Sequence, residues 1–139
     1  MMQTWLVYAI LAFLLWGFWG FFPKLTTAYI KPPSAMVYET AGALIVAVVV
    51  LLFLIKGRPE LHSKGILFAV VTGMAGITGA FFFLSSLSVG GKTSVVVTLT
   101  ALYPLITILL SVLFLHETVT ITQGMGILLA LIAILLISL

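Results

Sequence analysis

Cysteine is absent from the 139 residues, which excludes disulfides, thiolate catalysis and cysteine-ligated metal sites. Charge is nearly as scarce. Only 6% of the residues are Asp, Glu, Lys or Arg, against about a quarter in a typical soluble chain. The net charge of +3 is dispersed and forms no basic run that could follow a nucleic-acid backbone, so no nucleic-acid partner is expected. Isolated His62 and His116 fall in turns and do not form a metal set. The first apolar segment lacks the basic start and small-residue cleavage site of a removable signal peptide.

What the chain has in excess is apolar surface: 63% of its residues are hydrophobic and its mean hydropathy is +1.39. This is the composition of an all-α integral membrane protein. A bilayer core of ~30 Å takes ~20 apolar helical residues. The apolar runs supply five such spans, at about 4–30, 34–55, 65–87, 93–115 and 119–138, within one five-helix transmembrane domain covering 1–139. Lys31-Pro32-Pro33 separates the first two and leaves Ser34 as the expected N-cap of the second. The other connections are the loop Lys56-Gly57-Arg58-Pro59-Glu60 and the tight turns Gly90-Gly91-Lys92 and His116-Glu117-Thr118. Glu117 is expected to cap the last helix. No room is left for a soluble domain. An active site would have to be built inside the membrane from very few groups, so neither an enzyme nor a cofactor is expected.

The fourth span holds the most informative pattern. Val97, Thr100, Pro104, Thr107 and Ser111 recur every three or four residues and share one face. Pro104 has no N–H, so it leaves the carbonyl of Thr100 without its helical partner at a depth where water is scarce. Hydroxyls beside an interrupted helix at the membrane midplane are where transporters place substrate, which makes Thr100, Tyr103, Pro104 and Thr107 candidate cavity residues. The competing reading is a helix-packing face whose hydroxyls bond back to their own backbone.

Two charges lie within the spans. Glu39 and Lys24 are each about two turns or less from the Lys31-Pro32-Pro33 turn, at similar depth, and an ion pair between them would relieve the desolvation of both. They are the candidate coupling or gate residues; the alternative is that both reach the headgroup region. Trp16 and Gly17 are read as a substrate-facing wall opposite the fourth span, the alternative for the aromatic cluster being an interfacial belt. Gly73, Gly76 and Gly79 in the third span, and Gly126 with Ala130 in the fifth, are seams for close helix packing, including a contact between two copies. Five spans put the termini on opposite sides. Lys56, Arg58 and Lys64 then balance Lys24, Lys31 and Lys92, so the positive-inside rule assigns no firm orientation and insertion in both orientations is expected; the alternative is that a buried Lys24 does not count, which leaves a modest bias for the N-terminus inside.

Leu15-Trp16-Gly17, Lys24, Thr93-Ser94, Tyr103-Pro104, Glu117-Thr118 and Gln123-Gly124 together resemble the EamA-type transporters of the drug/metabolite transporter superfamily, over essentially the whole chain. The resemblance implies half of a ten-helix fold made of two inverted five-helix repeats around a central cavity. It also implies export or exchange of amino acids, metabolites or drugs across a bacterial-type inner membrane. A single half must then pair, and an antiparallel homodimer working by alternating access on a small-molecule substrate is the expected form. Similar sequences often have a basic residue near the place of Glu39, which points to a different substrate charge preference. The acid in the first helix of the sibling small multidrug resistance proteins has no counterpart here. A non-transporting accessory subunit, or one half of a hetero-oligomeric transporter, remains the alternative.

Overall fold

A computed structural model describes residues 4–138. Among these the regular elements are all helical, as the composition requires: α1 (Thr4–Tyr29), α2 (Pro32–Val49), α3 (Ser63–Ser88), α4 (Thr93–Thr100), α5 (Tyr103–Leu115) and α6 (Ile121–Ser138). Four stretches, Thr4–Tyr29, Pro32–Leu54, Ser63–Ser88 and Thr93–Phe114, are long and apolar enough to cross a membrane, and a shorter apolar helix follows at Ile121–Leu136. Chain contacts define two compact units, 1–89 and 90–139.

In the first unit, α1 runs on through Pro23, and that proline is buried. The turn after α1 differs from expectation. Lys31, not Ser34, is the N-cap of α2, and Pro32 and Pro33 occupy its first helical positions. Proline suits these sites because the N–H it lacks would have had no helical partner and its φ is already near the helical value. At its other end α2 widens into a π turn, Val50–Leu54, in which the Ile55 N–H donates to the Val50 carbonyl at 3.1 Å. Positive φ at Lys56 (50°) and Gly57 (71°) then reverses the chain, and the Gly57 N–H closes on the Leu51 carbonyl at 2.7 Å. His62 opens α3, its Nδ1 accepting the Gly65 N–H at 3.2 Å.

α1 and α2 each pack mainly on α3 and touch one another little. The buried residues of this unit are Gly20 and Pro23 of α1, Ala35 of α2, and Ala80, Phe83, Leu84 and Leu87 of α3. All lie toward the end that carries the α1–α2 turn. Trp19 stacks on Phe83 there, with ring centroids 5.4 Å apart. The opposite halves of the three helices contribute no buried residue. In lipid an exposed apolar side chain costs nothing, so helices are held by close fit and polar ties, which this unit places at one end.

In the second unit the fourth span is interrupted. Ala101 and Leu102 form a turn, with the Leu102 N–H donating to the Leu99 carbonyl at 3.2 Å, and α5 restarts at Tyr103 with Pro104 in its first turn. α5 ends at His116, whose φ of 55° makes it a left-handed C-cap. α6 packs chiefly against α4. Its half-buried positions, Gly124, Ile127, Leu131 and Ile134, recur at helical spacing.

Candidate functional site

Around the interruption, Thr100, Tyr103, Pro104 and Thr107 are all exposed on the second unit. The Thr100 hydroxyl donates to the carbonyls of Val96 at 2.9 Å and Val97 at 3.0 Å, and that of Thr107 donates to Tyr103 at 3.4 Å. Each hydroxyl is thus turned back on its own helix, as the packing-face reading expects, and satisfies backbone carbonyls near the break. The proline does more than kink the span: the helix ends before it and starts again.

Trp16 and Gly17 sit on an exposed stretch of α1, and a Cβ at Gly17 would meet nothing within 4 Å. The same open space lies beside Gly73, Gly76, Gly79 and Gly126. These small-residue faces have room for a close neighbour.

Lys24 is half-buried, and its ammonium donates to the carbonyl oxygen of Leu87 at 3.3 Å. The expected ion pair with Glu39 is not formed among the described residues. The cause is the packing order. α3 takes the main contact with both α1 and α2, so the inward face of α1 meets the last turn of α3 before it can meet α2. The carbonyls there are the negative end of the α3 dipole and attract a cation. Glu39 is half-buried on α2.

The start of α6 also departs from expectation. Glu117 is not its cap. The Thr120 N–H donates to Gln123 Oε1 at 2.9 Å while the Gln123 N–H donates to Thr120 Oγ1 at 3.3 Å, a reciprocal capping box. Thr120-x-x-Gln123 is itself the sequence signature of that cap, so the signal was present. Relieved of capping, the Glu117 side chain lines a groove of about 490 Å³ between α5 and α6, with Ser111 beside it and Gly126 and Ala130 among its lining residues. The groove exists because α6 leans on α4 rather than on α5. A second hollow, of about 480 Å³, lies at the α1–α2 turn beside Thr27, Lys31 and Ser88.

An uncharacterised protein of Methanocaldococcus jannaschii is 29% identical over 137 residues, covering 99% of this chain and 98% of that one. No solved structure matches. The sequence profile of the EamA-like transporter family matches residues 3–139, nearly the full length of this apolar, helical chain. The chain is an integral membrane protein and belongs to the EamA-like transporter family, whose members are transporters rather than enzymes.

Proposed function

We propose that the chain is one half of a transporter that becomes functional as a homodimer, with the antiparallel arrangement favoured, and that moves a small metabolite, amino acid or drug by alternating access across a bacterial-type inner membrane. The observation that carries this reading is the interrupted fourth span: a helix that stops at Thr100 and restarts at Tyr103 within a stretch long enough to cross the bilayer. Irregular backbone at membrane depth is tolerated where it is enclosed by protein or lines a cavity, and not where it faces lipid. Thr100, Tyr103, Pro104 and Thr107 are the substrate-contacting residues of the second unit, and Trp16 and Gly17 those of the first. Glu39 is the coupling carboxylate and Lys24 the gate cation beside it in sequence depth.

Pairing is supported by the glycine face of α3, which has open space where a neighbouring helix would lie. The basic residues of the two sides, three against three with Lys24 and three against two without it, leave at most a modest bias of insertion. The relative from Methanocaldococcus jannaschii has nearly the same length, so a chain of single-repeat size is not peculiar to this sequence.

The test is flux in proteoliposomes with and without a proton gradient, for the wild type and for Glu39→Gln. Loss of gradient-dependent flux in the variant is expected. Full gradient dependence without the carboxylate rules out the coupling role, and reporters at residue 139 that read from one membrane face only rule out the antiparallel pair.

A further inference from the structure

We propose that the groove between α5 and α6 is a binding site for a lipophilic organic cation, with its positive nitrogen on the carboxylate of Glu117 and its apolar body between the helices. The site begins with a carboxylate that has been released from other work. Thr120 and Gln123 cap α6 between themselves, and among the described residues nothing pairs with the Glu117 carboxylate. The Glu117 N–H donates to the Ser111 carbonyl at 3.3 Å, which folds the turn back over the end of α5 and fixes where the side chain starts.

Below the carboxylate the groove is mostly apolar, with Ser111 and Gln123 among its polar lining residues. Ile108 and Val112 of α5 face Ile127 of α6, and Gly126 and Ala130 supply no bulk to fill the space between them. From Ile121, where α6 starts, to Ala130 is nine residues of helix, so the groove reaches roughly 14 Å toward the bilayer interior at ~1.5 Å per residue. Its volume of about 490 Å³ is in the range that holds a small organic ligand. One negative charge at the aqueous rim of an apolar slot fits one kind of molecule: a cation at one end, hydrocarbon or aromatic at the other. An anion is repelled at the rim. A neutral apolar molecule loses the charged contact, the strongest polar interaction the groove offers. The Ser111 hydroxyl gives the nitrogen, or a substituent on it, a second polar neighbour.

Binding at this groove does not require that the chain transport anything, so the measurement reads binding alone. The full chain in maltoside micelles, which carry no ammonium group, is titrated calorimetrically with benzyltriethylammonium. N,N-diethylbenzamide, of similar bulk and without charge, is the comparator. The wild type is expected to bind the cation at least tenfold more tightly than the amide. Glu117→Gln is expected to lose about tenfold or more, and Ala130→Leu, which fills the slot but keeps the charge, a similar factor. Glu60→Gln, at an acid in an exposed loop of the first unit, is expected to change nothing; helical content by circular dichroism checks that all variants are folded.

Equal affinity of the wild type and Glu117→Gln, or of cation and amide, overturns the proposal. It is overturned too if phosphatidylethanolamine stays bound to the wild type through Glu117 in native mass spectrometry and the soluble cation cannot displace it, since the site is then a lipid site. Finally, if the wild type binds no cation and Ala130→Leu instead abolishes the dimer, the groove holds a second copy and not a ligand.

Discussion

Lys24 and Leu87, 63 residues apart in the chain, are joined by a hydrogen bond from ammonium to carbonyl of 3.3 Å. The bond places a positive charge at the C-terminal end of α3 and ties α1 to it at the same end where Phe83, Leu84 and Leu87 are buried. Membrane helices have no hydrophobic force pressing them together, so a charge-assisted tie of this kind bears directly on their assembly.

Lys24→Met should therefore loosen the first unit by about 1–3 kcal/mol, the range for a hydrogen bond to a charged group near a helix end. Lys24→Arg keeps the charge and a donor and should recover part of the loss. Reversible unfolding in mixed micelles gives both numbers. If the methionine variant is as stable as the wild type, the bond contributes nothing to the fold.

How much of this was legible in the sequence depends on the range of the interaction. The spans were legible because bilayer thickness and backbone satisfaction leave a long apolar run few alternatives to a helix. The interruption at Pro104 was legible for a similarly local reason, the missing N–H. The partner of Lys24 was not. Depth along two helices can be counted from a turn, but whether α2 or α3 lies across from α1 is a matter of packing that no spacing encodes. A Pro-Pro pair stops the helix before it but also suits the first positions of the helix after it, and Pro32 and Pro33 do the second for α2. Glu117 and the Thr120-x-x-Gln123 signature three residues on are both local candidates for the cap of α6, and the reciprocal pair takes it.

The capping box makes a separable prediction. Thr120→Ala should cost about 1 kcal/mol and speed amide exchange in the first turn of α6, because one end of the reciprocal pair is lost. Glu117→Ala should leave that turn protected. Hydrogen exchange measured on both variants distinguishes the assignments: fraying in the Glu117 variant alone would return the capping role to the carboxylate.

Gly76 lies beside open space on α3. Gly76→Leu should leave the stability of the isolated chain unchanged or slightly raised, since leucine is the better helix former and meets no clash. In the homodimer proposed here the same substitution drives a bulky side chain into the neighbouring copy, and dissociation should become at least tenfold easier. Dimer fraction against dilution in micelles measures it. A leucine variant that dimerises as well as the wild type removes this face from the contact.

The last prediction concerns the interruption itself. With Pro104→Ala the chain regains an N–H that can reach the carbonyl of Thr100, and the turn at Ala101 and Leu102 is free to close into continuous helix from Thr93 to Leu115. Stability should be unchanged or higher, because a proline is being removed from a helical span. Transport should fall by tenfold or more if the proposed cavity uses this irregular backbone, which a continuous helix withdraws. Slowed amide exchange at residues 101–105 would establish that the helix has healed, and substrate flux in proteoliposomes would be measured on the same preparation. A healed helix with undiminished flux would mean that the break is a packing detail and that the pathway runs elsewhere.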